Sequence, residues 1–541
     1  MLSSLFRKKS IVQVISDDGG HATGLRKVLN VRDLTFFGIA AIIGGGTFSA
    51  IGNACASGGP GVVFLYIICA VACGFTALCY AEFASRVPVS GSAYTYAYVS
   101  FGELFAWIIG WALIMEYSIG NIYIAFSWSG YFTNLVPGIP EWLTTNYLDA
   151  KEMGNPEALA AWNNAPSIGG LRIIFDLPAV VINILITALV FIGTKESKYF
   201  SNAMVIIKLA IISLVILVGF FCIDMNNWEP FMPNGFGGVM AGVSAVFFAY
   251  IGFDAVSTLA EESKNPQRDL PRGMIYSLVI CTIIYVILAL ILTGMVSYQY
   301  LGVDDPLAEI FKMREMKWML WIVSIAAVVA MTSVLLVFQM GQPRIWMTMS
   351  RDGLMPQRFG NVHPRFKTPS FATIVTGLVV GVPLFFTNEK FILDFTSIGT
   401  LFAFVLVCGG VLVLPRREKE AHKFHLPFIN SKYIFPLIIF SVFGFLIFQY
   451  PEYFKNQLNV TQENMETKIP MIIFFVVCAL MTVLSFVKEY SLIPLLGLVS
   501  CCYLLTGMAW SNWKWFFVWL LIGLIFYFCY GYRKSKLATN Q

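Results

Sequence analysis

IIGGGTF (Ile42–Phe48) places three consecutive glycines in the middle of an apolar stretch long enough to cross a bilayer. Much further along, FFAYIGFDA (Phe247–Ala255) interrupts a second such stretch. A helix break in hydrocarbon leaves amides and carbonyls without partners, so it persists only where the backbone is buried in protein or lines a cavity. Two breaks at corresponding places in two halves of a chain mark the solute site of a transporter. The two segments therefore predict an all-α integral membrane protein with discontinuous first and sixth helices.

Composition agrees. Hydrophobic residues make up 57% of the 541 positions and charged residues 12%, against roughly 45–50% and about 25% in soluble domains. About fourteen apolar stretches approach the roughly 20 residues that a helical crossing needs. They run from 33–57 to 514–531. No period-two alternation runs through them, which excludes a β-barrel. With the N-terminus on the inner side, 26 of the 36 Lys and Arg fall in inner segments and 9 in outer ones, with Lys208 alone inside a span. That asymmetry predicts both termini in the cytoplasm of a plasma or cell inner membrane. It also explains the formal charge of +5 without nucleic acid.

The chain is polar up to about Leu34 and shows no signal-peptide region there, so insertion is expected to rely on the first span. The eleven cysteines lie mostly in or beside apolar spans and form neither metal-ligand spacing nor a disulfide framework. His21, His363, His422 and His425 all fall in expected inner segments, so neither a metal nor a cofactor is expected. Asn459-Val460-Thr461 is a sequon in an expected outer loop.

The first ten spans fold onto themselves as five plus five. Five is odd, so the second set enters the membrane from the opposite side, which makes an inverted repeat. The expected organisation is a cytoplasmic segment 1–32, a first repeat 33–224, a second repeat 225–415, additional helices 416–531 and a tail 532–541.

Four runs then carry a resemblance. FFAYIGFDAVSTLAEESKNPQRDLPRG (Phe247–Gly273), LCYAEFASRVPVSGSAYTYAY (Leu78–Tyr98), GWALIMEYSIG (Gly110–Gly120) and GQPRIWMTMSRDGLMP (Gly341–Pro356) resemble the cationic amino acid transporter family of the amino acid–polyamine–organocation superfamily. The resemblance covers roughly residues 30–415, with a weaker echo in the last two spans. It implies amino acid transport by alternating access, with neutral and cationic substrates both open, and two helices added before the final pair.

Chemistry at the breaks fits a zwitterion. Amides at a half-helix N-terminus, here Gly44, Gly45, Gly46 and Thr47, offer donors and the positive end of a dipole to a carboxylate. Carbonyls of Ile42, Ile43, Phe248 and Ala249 offer acceptors to an ammonium. The competing reading gives the glycines only a tight helix crossing. Under the binding reading, Gly46→Leu abolishes binding while the chain still inserts. By resemblance, Phe248 is the aromatic gate and Ile251 shapes the side-chain pocket. Many relatives have Thr or Ala at the position of Gly45 and an aliphatic residue at that of Thr47, so no hydroxyl contact comes from position 45.

Lys208 stands alone in NAMVIIKLAIISLVILVG (Asn202–Gly219), and an ionisable residue at such depth is functional by default. Sodium-coupled relatives place a cation where spans one, five and eight meet. A lysine ammonium there would exchange that cation for a proton, with Thr332 and Ser333 as its expected neighbours. The alternative is a permanently charged lysine that pins helices through carbonyls. Glu116, in span three, is expected either to favour a cationic substrate or to be a carboxyl that is protonated or bonded to neighbouring helix backbone. Asp254 and Glu82 are expected to be structural, and Glu261–Arg272 with Arg351–Gly353 to brace an inner gate. Besides amino acid, proton and membrane lipid, a small membrane-protein partner fits the extra helices. An exchanger of amino acids or polyamines and a non-transporting sensor stay open. An enzyme would need a catalytic cluster that is absent from the sequence.

Overall fold

Capping decides where the first helix begins. Asn30 accepts from the Asp33 amide and Asp33 from the Asn30 amide, both at 3.1 Å, a reciprocal capping box. Helix α1 (Val31–Ile42) follows and stops at Ile43, whose φ/ψ of −83°/99° leave the helical region. The chain resumes as a π turn over Gly46–Ala50 and helix α2 (Ile51–Gly58). The computed structural model describes residues 5–14, 25–152, 156–169, 171–303, 305–387, 389–415, 423–449, 465–508 and 510–539. The sequon at Asn459, together with His21, His422, Arg416, Arg417, Lys419 and Lys455, lies outside the described residues.

Long apolar helices come next: α3 (Val62–Arg86), α4 (Ala93–Ser100), α5 (Glu103–Leu135), α6 (Leu177–Ile192) and α7 (Thr194–Phe220). Asp176 caps α6, accepting from the Ala179 amide at 3.0 Å and from Ser129 Oγ at 2.6 Å, which ties that helix to α5. The second broken segment comprises α8 (Gly235–Ala241), α9 (Val243–Tyr250) and a 3-10 helix over Phe253–Glu262. Between them Ile251 is extended and Gly252 sits at φ 118°, a left-handed conformation that a side chain would strain. The remainder is α10 (Pro266–Met295), α11 (Lys317–Arg351), α12 (Ser370–Gly381), α13 (Glu389–Val413), α14 (Ser431–Gln449), α15 (Met465–Lys488), α16 (Leu492–Leu505) and α17 (Trp510–Phe526). A two-residue hairpin pairs Ser167–Ile168 with Leu171–Arg172 in the loop before α6.

Each expected apolar stretch contains helix. By length and composition, however, eight helices of the described residues suffice to cross a membrane, or nine if the bent pair around α8 and α9 counts as one span. The difference has a physical source. Broken spans are divided into short helices, and α16 is only 14 residues long, below the roughly 20 of a perpendicular crossing.

The bundle is centred on α5. Its most apolar window is 83% buried, against 11% for Ser431–Gln449, so α14 lies at the edge. Helix α5 packs on α11 and α13, α10 packs on α1 and α3, and α7 lies against both α1 and α11. The first half-helix is thus enclosed by α7, α10 and α11, and its broken end lies deep inside the protein.

Candidate functional site

The two breaks touch each other. A Cβ on Gly46 would lie 2.4 Å from Ala249 Cα, and a Cβ on Gly252 would lie 2.6 Å from Ala41 Cβ. Each break therefore accommodates the backbone of the other segment at van der Waals distance, which only glycine permits. Leucine at position 46 would wedge the segments apart, so Gly46→Leu cannot separate a binding role from a packing one. Gly44 and Gly45 face side chains instead: Val334 Cγ2 on one side, Ile124 Cδ1 and Tyr123 on the other. Every residue from Gly44 to Ala50 is buried.

The amides divide in the same way. Those of Thr47 and Phe48 turn back to Gly44 O at 2.9 and 3.1 Å, so the Thr47 amide is already engaged. The N–H groups of Gly44, Gly45 and Gly46 stand at the entry of the second half-helix, where a helix has no internal acceptors for its first amides. The Thr47 hydroxyl is also committed, donating to Tyr285 Oη at 3.0 Å.

All four candidate carbonyls carry a partner from the chain itself. Ile43 O accepts from Lys208 Nζ at 2.7 Å, Ile42 O and Ala249 O lie 2.8 and 2.9 Å from Tyr285 Oη, and Phe248 O accepts from the Ile251 amide at 3.2 Å. Each carbonyl keeps a second lone pair. Tyr285 was not among the sequence candidates, although it spans the two breaks. Its signal was a hydroxyl inside the otherwise aliphatic stretch Ile283–Leu292, where a polar group needs a partner. Tyr123 was missed as well. Its ring meets Phe248 edge-on at 5.0 Å beside Gly45, and Ile251, three residues after Phe248, is buried.

Lys208 has no exposed surface. From α7 its Nζ reaches Ile39 O at 3.1 Å, Ala40 O at 3.2 Å, Ile43 O at 2.7 Å and Ser333 Oγ at 2.9 Å. Four oxygens around three N–H groups make one donor shared. The carbonyls belong to the C-terminal end of α1, the negative end of its dipole. Ser333 in turn donates to Ala330 O at 2.6 Å and lies 3.2 Å from Ala40 O. Thr332 is placed elsewhere: its Oγ1 accepts from Trp128 Nε1 and donates to Val328 O, at 2.8 and 2.7 Å. Adjacent residues on a helix are about 100° apart, so one of the two expected neighbours had to face away.

Glu116 is fully buried, and neither carboxylate oxygen has a hydrogen-bond partner within 3.5 Å among the described residues. Asp254 and the Thr400 hydroxyl are its polar neighbours. It lies seven residues, about 10 Å along α5, before the Tyr123 that touches Gly45 and Phe248. Asp254 accepts from Tyr117 Oη at 3.3 Å. The structure therefore groups Glu116 with Asp254 rather than with the glycines.

At the face that carries the N-terminal segment, Arg351 grips both oxygens of Glu261 at 3.1 and 3.0 Å, and Arg344 pairs with Glu262 at 2.8 Å with both side chains fully buried. Asp352 holds Lys9 at 2.5 Å and Tyr94 Oη at 2.6 Å. Glu82 accepts from Arg86 and from the Leu426 amide, both at 2.7 Å. These contacts knit the two charged runs into one layer.

Residues 29–477 match the family model described as amino acid permease, and residues 490–535 match the one described as its C-terminus. The chain belongs to the amino acid permease family. It is 39% identical to a branched-chain amino acid permease of Bacillus subtilis over 538 residues, 99% of this chain and all of that one. It is 40% identical to a methylthioribose transporter of the same organism over 79% of this chain and 89% of the relative. A human cationic amino acid transporter is 30% identical over 96% of this permease and 89% of its own length. Membership with these apolar helices makes the permease an integral membrane protein of amino acid transport, within the superfamily that the sequence motifs indicated.

Proposed function

We propose that this permease is a proton-coupled symporter that moves neutral amino acids with aliphatic side chains by alternating access. The observation that carries the substrate reading is the apolar wall around the amide-bearing glycines: Val334, Ile124 and Tyr123 flank Gly44 and Gly45, and Phe248 packs on Tyr123. A carboxylate would sit on the amides of Gly44, Gly45 and Gly46, with the ammonium on the free lone pairs of Ile42, Ile43, Phe248 and Ala249. A cationic side chain would find no acid beside this wall among the described residues, because Glu116, two turns earlier on α5, lies with Asp254. The full-length similarity to a branched-chain amino acid permease supports the same choice.

Lys208 supports the coupling. Its ammonium fills a nest of four oxygens contributed by α1 and α11, where deprotonation would remove the charge that fixes α1 and let the half-helix move. In this reading the permease has five-plus-five inverted repeats over 33–224 and 225–415 within about fourteen crossings, and both termini lie in the cytoplasm. The Arg351–Glu261 and Arg344–Glu262 layer then closes the inner side.

Radiolabelled uptake into proteoliposomes tests this. Valine or leucine should accumulate under an inward proton gradient, and arginine should neither accumulate nor compete. Uptake of arginine in preference to valine would overturn the pocket assignment. Movement only into amino acid-loaded vesicles would make the protein an exchanger, and binding without movement a sensor.

A further inference from the structure

A polar cavity lies away from the breaks, at the base of α7. It has a volume of about 250 Å³ and is lined by Arg26, Ile192, Gly193, Lys195, Glu196, Arg365, Phe366 and Lys367. Four cations thus meet one carboxylate. None of these five charged side chains forms an ion pair among the described residues, whereas Lys198, three residues on, pairs with Asp33 at 2.9 Å. Lys9, Arg86, Arg344 and Arg351 on the same side are paired as well. Converging unpaired cations repel one another, and an anion between them removes that cost.

The cavity is shaped as well as charged. Thr368 Oγ1 donates to Phe191 O at 2.9 Å and fastens the loop before α12 to the end of α6. His363, Phe191 and Phe366 pack ring on ring beneath it, with centroids 4.8–5.8 Å apart. Lys367 is held at φ 58°, so its position follows from the loop rather than from chance orientation. Gly193 precedes the first turn of the 27-residue α7, adding the positive end of a helix dipole to the four cations.

Its surroundings are apolar. Ile192, Tyr199, Phe371 and Ile374, on the three helices that end or begin here, are 47%, 61%, 37% and 48% exposed. Charged residues ringed by outward-facing aromatic and aliphatic side chains belong at the membrane border, where basic pockets take lipid headgroups.

We propose that this cavity binds the phosphate of an anionic phospholipid. Under the orientation proposed above, that lipid belongs to the inner leaflet. The phosphate would lie among Lys195, Arg365 and Lys367 at the α7 N-terminus, and the acyl chains would run over Ile192, Phe371 and Ile374. The bound headgroup would then sit one turn from Lys198, which holds Asp33 and Val28 O at the entry of α1.

The test is native mass spectrometry of the full chain released from nanodiscs of phosphatidylglycerol and phosphatidylcholine. It compares the wild type with Lys195→Gln/Arg365→Gln/Lys367→Gln and with Glu196→Gln. Retained phosphatidylglycerol should weaken about fivefold for each cation removed and strengthen in Glu196→Gln. Both variants should transport like the wild type in phosphatidylcholine, which excludes misfolding. A second arm adds inorganic phosphate to phosphatidylcholine nanodiscs. Phosphate binding that the triple variant loses, without selective phosphatidylglycerol retention, would overturn the lipid assignment in favour of the free anion. Equal retention of both ligands by wild type and triple variant would overturn the site altogether.

Discussion

Lys208 and Glu116 are both fully buried ionisable residues in the helical bundle, yet their surroundings are opposite. Four oxygens lie within 3.2 Å of the lysine ammonium, whereas the glutamate has no hydrogen-bond partner among the described residues. The lysine is held by the broken end of α1, where the helix itself leaves carbonyls unpaired. The glutamate projects from an unbroken helix, which has no spare backbone to give. Burial alone therefore does not identify a working charge; what matters is whether a moving element has been built around it.

Substitutions sharpen that contrast, beginning with the largest expected effect. Lys208→Ala strands Ile43 O and takes one of the partners of Ile39 O, Ala40 O and Ser333 Oγ, an unsatisfied buried group costing about 1–3 kcal/mol. Thermal stability should fall clearly, and gradient-driven accumulation should disappear. Tyr285→Phe removes the bridge between the breaks and should raise the KM for the amino acid several-fold while leaving proton stimulation in place, as read from uptake at two pH values. Ser333→Ala leaves Lys208 its three carbonyls, so a loss of about 1 kcal/mol and a modest change in proton response are expected from melting and uptake curves. Glu116→Gln replaces a fully buried carboxyl with an amide of the same shape. Stability should hold or rise, and the preference for neutral over cationic substrates should persist; a switch of preference would move Glu116 back into the pocket. Thr332→Ala should change the proton response the least, because its hydroxyl serves Trp128 and Val328 O, and an altered proton response there would break the distinction between the two neighbours.

Much of this was legible in the sequence because glycine in an apolar run is a conspicuous signal. Gly44–Gly46 and Gly252 located the breaks, and a lone lysine in the eighteen-residue, largely apolar stretch Asn202–Gly219 located the nest. What escaped was azimuth and register. Nothing in the sequence shows which of Thr332 and Ser333 faces α7, or that Tyr123 rather than Glu116 is the α5 residue that meets Gly45. Tyr285 could be found only by asking which hydroxyl satisfies the carbonyls that a break releases. The close contacts of Gly46 with Ala249 and of Gly252 with Ala41 show the packing role of these glycines directly. Packing and binding are compatible here, because Gly44 and Gly45 face the side chains of Val334, Ile124 and Tyr123. The count of crossings stayed ambiguous for a related reason, since broken or short helices fall below the length that defines a span.

The most direct test of the account compares wild type and Lys208→Ala in proteoliposomes, using the same neutral amino acid in two assays. One measures accumulation under an inward proton gradient, and the other measures counterflow without a gradient. The account predicts that the variant loses accumulation and keeps counterflow, because the amides and apolar wall that hold the substrate remain. Accumulation by Lys208→Ala that still responds fully to the gradient would contradict the central claim.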